Sequence, residues 1–277
     1  VARAVAQALT QALGVSVIVE QRVGGNTNIG TASVARATPD GYTLLVNTDT
    51  LTSNASVYRD PGYDPVASFA PVTMLTRAPG ALAVRKGLGP AGIEEFVALA
   101  KARGKDLTVA STGTGTVSHL TGLMFRQRMG LPAWTDVPYQ GAAKAVTDLI
   151  GGHVDAIFST VVPLVPHAEE GSLNILAVTT RRRTMALPNV PSIAETYPGY
   201  NAVSWTGMLA PAGTPKAIID KLAAEMTNAG KDPKFIELLQ SNGIDPAIEG
   251  PEKFAALIAA EIPNWAKAVE IAGVKLP

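Results

Sequence analysis

The sequence predicts an α/β protein of two domains, each a mostly parallel sheet flanked by helices. Three observations carry that expectation. Short apolar runs of strand length alternate with amphipathic helical runs through most of the chain. The length of 277 residues exceeds one typical domain of about 150. Hydrophobic residues at 47% against 17% charged supply the apolar surface for a sizeable core.

Taken in order, the chain opens on Val1-Ala2-Arg3-Ala4-Val5-Ala6-Gln7-Ala8-Leu9, a helical pattern already under way without a Met or a capping residue. The expectation is that a strand, its loop and a signal peptide belong upstream. Val15 to Glu20 reads as a strand, the glycine-rich stretch 24–30 as a loop, and the following residues to Ala37 as a helix. Asp40-Gly41 turns the chain into a strand from Tyr42 to Asn47, and the Thr, Ser, Asn, Asp and Pro content of 48–64 predicts a loop. Two strands follow at 70–76 and 81–85. Ile93, Phe96, Val97 and Ala100 share one helical face, which predicts a helix over 93–103. Beyond it the pattern gives strand 107–110, helix 117–129, a strand around Val137, helix 142–150, strand 154–159, helix 162–170 and strand 175–178. After a strand at 205–210, Pro211-Ala212-Gly213-Thr214-Pro215 introduces a mostly helical end, with helices at 216–229, 233–242 and 251–272.

Composition excludes several function classes. Lys and Arg number 23 and so do Asp and Glu, giving a net charge of 23 − 23 = 0, and the longest basic run is Arg181-Arg182-Arg183. A nucleic-acid partner is not expected. No apolar run approaches the roughly 18 residues that span a bilayer. With no Cys, disulfides, zinc knuckles and thiol nucleophiles are excluded, while the redox compartment stays open.

The stretch from Leu107 to Leu120 is a strand entering a Ser/Thr/Gly loop and then a helix. Gly113 and Gly115 allow close backbone approach. The first turn of the helix offers free N–H groups, and Ser111, Thr112, Thr114 and Thr116 add hydroxyls. Such a loop suits an anion or carboxylate. A dinucleotide fingerprint needs a third glycine where Ser118 stands, so a nucleotide site and a merely structural turn are the competing readings. Tyr139, Gly141, Ala142 and Ala143 place small residues at a second helix N-terminus, whose alternative is close helix–sheet packing. His119, His153 and His167 show no metal-binding spacing, so no metal or cofactor is expected. No GxSxG elbow is present, although Ser111 and His119 are ingredients of a hydrolase; His119 reads rather as a structural or ligand-contacting hydrogen bonder. Trp205 fits a cleft wall as well as a core. Asp155 reads as a turn or hinge hydrogen bond.

Several ordered motifs carry a resemblance. Gly25-Asn26-Thr27-Asn28-Ile29-Gly30 is followed by Ala37-Thr38-Pro39-Asp40-Gly41-Tyr42-Thr43-Leu44-Leu45. Val137-Pro138-Tyr139-Gln140-Gly141-Ala142-Ala143 precedes Asp148-Leu149-Ile150-Gly151-Gly152-His153-Val154-Asp155. Leu187-Pro188-Asn189-Val190-Pro191-Ser192-Ile193-Ala194-Glu195, Trp205-Thr206-Gly207 and Ala210 to Pro215 complete the series. Together they resemble the Bug-type substrate-binding proteins of tripartite tricarboxylate transporters over essentially the whole chain. The resemblance implies a two-domain periplasmic-binding-protein (Venus-flytrap) fold, with residues 1–81 and 204–277 in one domain and 82–203 in the other. It implies a monomeric, exported, periplasmic solute-binding protein without catalysis. Such a protein closes around a small carboxylate, a dicarboxylate or an aromatic acid, and delivers it to a membrane permease.

Carried over by position, the ligand contacts fall on Ser111, Thr112, Gly113, Thr114, Gly115, Thr116, His119, Tyr139, Gly141, Ala142, Ala143 and Ser159 in the middle domain. Thr48, Asn54 and Trp205 belong to the other. Where the family often has His and Ala before that Asn, this chain has Asp49, Thr50 and Leu51. The competing functions are a carboxylate sensor that signals through a membrane partner, and a hydrolase using His119.

Overall fold

The computed structural model describes residues 1–184, 187–240 and 244–273. In chain order the helices are α1 (Ala2–Leu13), α2 (Asn28–Ala35), α3 (Thr50–Val57), α4 (Ile93–Arg103), α5 (Val117–Arg128), α6 (Ala142–Ile150), α7 (Val165–Glu169), α8 (Ile193–Thr196), α9 (Lys216–Ala229), α10 (Pro233–Gln240) and α11 (Pro251–Ala272). The strands are β1 (Leu45–Thr48), β2 (Phe69–Arg85), β3 (Thr108–Ser111), β4 (Thr135–Pro138), β5 (Ala156–Thr160), β6 (Leu173–Val178), β7 (Val203–Pro211) and β8 (Asp245–Glu249). The described residues divide into two compact units, Val1–Arg77 with Trp205–Lys267, and Ala78–Ser204 with residues 268–273.

In the second unit the strand order is β6–β2–β5–β3–β4. Alternation along the strands sends successive side chains to opposite faces. Leu82, Val84, Val109, Ala156 and Phe158 pack on one face with Ile93, Phe96 and Phe125 of α4 and α5. Ala81, Ala83, Ala110 and Ile157 pack on the other with Ala145, Val146 and Leu149 of α6. Helix α4 forms where the apolar spacing predicts it. Glu94 and Glu95 lie in its first turn and Lys101 and Arg103 in its last, complementing the helix dipole. The β3–β4 and β3–β5 ladders are parallel, so these strands all end at the edge where α5 and α6 begin.

In the first unit the order is β1–β7–β2–β8. Val72, Leu75, Met208 and Ala210 meet α1, α9 and α10. Met74, Trp205 and Leu209 meet Val34, Leu51, Phe254 and Ile258 on the opposite side. A cavity of about 670 Å³ lies among α1, α2, β1 and residues 17–23.

Several elements differ from expectation. The sheets are mixed rather than mostly parallel, because β1 runs antiparallel to β7 and β2 antiparallel to β5, β6 and β8. The two strands expected at 70–76 and 81–85 are one strand, β2, which enters both units. Residues 15–20 form no ladder; the Val17 N–H donates to Thr10 Oγ1 (3.0 Å), and Val15 and Ile18 are exposed. The predicted loop at 48–64 contains α3. Its polar composition reads as loop, but Leu51 and Val57 are fully buried, and Thr52 and Asn54 find hydrogen-bond partners from outside the helix. Strand β8 and the short helix α8, whose Ser192 and Glu195 form a capping box, go beyond the sequence reading. The expected end of the helix at 233–242 falls partly outside the described residues.

Candidate functional site

The Ser/Thr/Gly loop closes between β3 and α5. Gly113 adopts φ 145° and Gly115 φ 75°, conformations that L side chains rarely take. A Cβ on Gly113 would also lie 3.2 Å from Thr116 Cγ2. The loop is held by its own polar atoms. Thr116 Oγ1 donates to the Gly113 carbonyl (2.7 Å) and accepts the His119 N–H (3.4 Å) as the N-cap of α5. The Thr116 N–H donates to the same carbonyl at 3.2 Å, and the Thr112 N–H donates to Ser118 Oγ at 3.2 Å. Ser118 Oγ in turn donates to the Phe158 carbonyl, tying the loop to β5. Within the described residues no hydrogen-bond partner is found for the N–H groups of Gly113, Thr114, Val117 and Ser118.

The second helix terminus lies alongside, since β4 is the parallel neighbour of β3. The Tyr139 N–H donates to the Ser111 carbonyl (3.0 Å) and the Gly141 N–H to the Thr112 carbonyl (3.3 Å). Gly141, the N-cap of α6, has φ 99° and leaves the first turn without a side-chain cap. Ala143 there is exposed. Two helix N-termini thus sit side by side, with partial positive charge and outward N–H groups. Ser111 and Ser159 are buried at the same end of the sheet, and Ser159 Oγ has no hydrogen-bond partner among the described residues. The arrangement can hold an anionic oxygen through neutral donors.

The remaining predicted residues of this unit have structural engagements. Tyr139 donates its hydroxyl to Asp148 Oδ2 (2.7 Å); burial, with Asp148 beside it, pushes the phenol up to about 12. His119 is 8% exposed and its Nδ1 accepts the Gly115 N–H (3.2 Å), leaving the ring proton on Nε2. Burial holds its pKa below the ordinary value; Asp136 opposes this and Arg126 adds to it. Ser111 Oγ reaches the Gly113 carbonyl at 3.5 Å, so it is not paired with the imidazole as a nucleophile would be. Asp155 closes the bend before β5 and makes the hydrogen bonds expected there, and it also carries ion pairs. It takes Arg85 (3.0 Å) and Arg103 (2.9 Å), and accepts the Thr108 N–H and hydroxyl, both at 3.1 Å.

The three predicted residues of the first unit each belong to a separate polar cluster. Asn54 is fully buried. Its Oδ1 accepts from Asn26 Nδ2 (2.8 Å), and its Nδ2 donates to the Asn26 carbonyl (2.6 Å) and to Asn28 Oδ1 (2.7 Å). Thr48 lies half-buried in a hydroxyl chain with Thr50 (3.0 Å) and Thr27, joined to Asn47 Oδ1 through the Thr48 N–H (2.8 Å). Trp205 Nε1 donates to Glu261 Oε2 (2.8 Å), which also accepts from Thr52 Oγ1 (3.1 Å) and Trp265 Nε1 (3.4 Å). Burial raises the Glu261 pKa despite these donors. Sequence reasoning missed Glu261, although a signal existed: it interrupts the apolar series Phe254, Ile258 and Trp265 on one face of α11. Among the described residues no cluster of His, Asp or Glu is arranged to hold a metal ion, and no helix is long and apolar enough to cross a membrane.

Comparison with known proteins assigns the family and the fold. Residues 1–274 match the model of the tripartite tricarboxylate transporter family receptor, TctC. Rpa4515 of R. palustris, solved with adipate, is 32% identical with a TM-score of 0.87, over 99% of this chain and 92% of its own. The periplasmic binding protein BugD is 34% identical with a TM-score of 0.83, over 99% and 92%. MatC of Rhodopseudomonas palustris, solved with malate, is 30% identical with a TM-score of 0.82, over 97% and 92%. The chain belongs to the TctC family of tripartite tricarboxylate transporter receptors and has the α/β fold of its periplasmic solute-binding proteins.

Proposed function

We propose that this protein is a periplasmic receptor that captures a small carboxylate and delivers it to the membrane permease of a tripartite tricarboxylate transporter, without catalysing a reaction on it. The observation that carries this reading is the pair of helix N-termini at 113–118 and 141–143. Their unpartnered N–H groups and hydroxyls match the oxygen atoms of a carboxylate. Adipate and malate in related proteins support a dicarboxylate of short aliphatic chain. One carboxylate sits on the N–H groups of Gly113, Thr114, Val117 and Ser118, with the buried Ser159 hydroxyl, unpartnered among the described residues, and the weakly engaged Ser111 hydroxyl behind them, Thr112 and Thr116 bracing the loop, and Ala142 and Ala143 offering the second terminus. Within the first unit, Asn54 and Trp205 brace the elements around them and Thr48 is held in its hydroxyl chain.

The test is calorimetric titration with adipate, malate, benzoate and, as controls, neutral amides, together with Ala143→Asp. A carboxylate in the first turn of a helix favours the helix and fills the same electrostatic site as the ligand. The expected result is carboxylate binding to the native protein, binding lost in A143D, and an unfolding temperature equal to or above that of the native protein. At a hundred times the dissociation constant, a bound carboxylate adds about 2.7 kcal/mol to stability. Failure of every carboxylate to bind, or equal binding in A143D, overturns the reading.

A further inference from the structure

The conformation of the loop before α5 depends on a side chain placed after it. Gly115 is buried within that loop, and its N–H turns inward to His119 Nδ1 at 3.2 Å. The imidazole is itself anchored at its backbone, where the His119 N–H meets the Thr116 hydroxyl at 3.4 Å. This closes a ring from Gly115 through His119 and Thr116 to the Gly113 carbonyl, which accepts both the Thr116 hydroxyl (2.7 Å) and its N–H (3.2 Å). The N–H groups of Thr112, Gly115 and Thr116 are therefore held within the protein. Those of Gly113, Thr114, Val117 and Ser118 are left without a partner within the described residues.

We propose that His119 is a positioning residue for the anion loop: its Nδ1 holds the Gly115 N–H and so fixes the backbone that turns the neighbouring N–H groups outward. The inference rests on the reading of this loop as the carboxylate site, but the loop's order is measurable without a ligand. The imidazole accepts only while Nδ1 is unprotonated. A proton there replaces an acceptor with a donor facing a donor, and the loop loses its inner tie. The charged groups acting on the ring are Asp136, whose carboxylate also takes Trp134 Nε1 (2.7 Å) and Arg126 (3.6 Å), and Arg126 on the same helix. Burial favours the neutral ring. Tight binding near neutral pH and release in acid follow from the same contact.

The experiment compares native protein with His119→Leu, which removes the acceptor, and His119→Asn, whose Oδ1 stands near the position of Nδ1. Two readouts are taken from pH 5 to 8: hydrogen exchange of the Gly115 amide without ligand, and the dissociation constant for adipate. The expected result is at least tenfold faster Gly115 exchange in H119L with native-like protection elsewhere, and exchange close to native in H119N. Adipate affinity should fall at least tenfold in H119L and be restored in H119N. As pH is lowered below the ordinary imidazole range, the native protein should lose more affinity than H119N, which carries no titrating group at this position while the ligand titrates equally in both. Unchanged Gly115 exchange in H119L overturns the positioning role. Faster exchange with unaltered adipate affinity keeps the positioning role and overturns the loop as the carboxylate site.

Discussion

Asn26 and Asn54, 28 residues apart, hold each other by two hydrogen bonds: Asn26 Nδ2 donates to Asn54 Oδ1 at 2.8 Å, and Asn54 Nδ2 donates to the Asn26 carbonyl at 2.6 Å. The pair holds Asn26 at φ 50° and ψ 50°, in the left-handed region that Asn enters more readily than other non-glycine residues. Tyr63 extends the network by donating to Asn28 Oδ1 at 3.2 Å. The glycine-rich loop before α2 and the polar helix α3 are thereby one structural unit.

Replacing Asn54 by Ala removes the acceptor of the half-buried Asn26 side-chain amide, the donor to the Asn26 carbonyl, and one of the two donors that the buried Asn28 Oδ1 has among the described residues, leaving it Tyr63. The expected cost is about 2–3 kcal/mol. The urea midpoint of N54A against native protein measures it, and a loss below about 0.5 kcal/mol would show that the network does not stabilise the fold.

Gly207 lies against the Phe254 ring, where an added Cβ would come within 2.1 Å of Cζ. Phe254 is fully buried and packs edge-on to Trp205, with ring centroids 5.0 Å apart. Gly207→Ala should therefore destabilise by about 2 kcal/mol or more. Shortening the partner in the double variant G207A/F254L should recover part of that loss in thermal unfolding, whereas simple additivity would place the strain elsewhere.

Asp155 is buried, which pushes its pKa up, but the Thr108 N–H and the guanidinium groups of Arg85 and Arg103 outweigh burial and leave it below the ordinary carboxylate value. A depressed folded-state pKa gives stability that is present above the unfolded value of about 3.9 and is lost as pH falls through the folded value. Native protein should lose more stability between pH 6 and pH 3 than Asp155→Asn does. Parallel urea midpoints across that range for the two proteins would remove Asp155 from the acid response.

Glu261 has the opposite sign. Burial raises its pKa in the fold, partly offset by Trp205, Thr52, Trp265 and Arg77. Its contribution is present below the unfolded value of about 4.3 and is lost as pH rises through the raised folded value. Glu261→Gln keeps an acceptor for the two indoles and removes the charge. At pH 8 the variant should unfold at a higher temperature than native protein, and at pH 4 the two should nearly coincide. A lower unfolding temperature of E261Q at pH 8 would show that the ionised carboxylate is stabilising.

Much of the fold was legible because local periodicity and punctuation survive in the final structure. The spacing of Ile93, Phe96, Val97 and Ala100 gave α4, and Pro215 and Gly230 bracket α9. The strand–loop–helix course of the Ser/Thr/Gly run between β3 and α5 was readable because glycine and a helix start have fixed physical consequences. Helix α3 was not legible, since Thr, Ser and Asn favour loops until buried neighbours supply their hydrogen bonds. Nor was the antiparallel course of β2: a run of residues marks a strand but does not name the partner against which it pairs.

The sequence by itself determined the α/β character, most helix positions and the family, because these depend on composition, short-range spacing and ordered motifs. Only the tertiary structure decided what each polar side chain does. It engaged Asn54 with Asn26, Trp205 with Glu261, Tyr139 with Asp148 and the His119 Nδ1 with Gly115, and it placed the termini of α5 and α6 side by side. A buried donor or acceptor must find a partner in three dimensions, and residues far apart in the chain become partners only when the sheet brings them together.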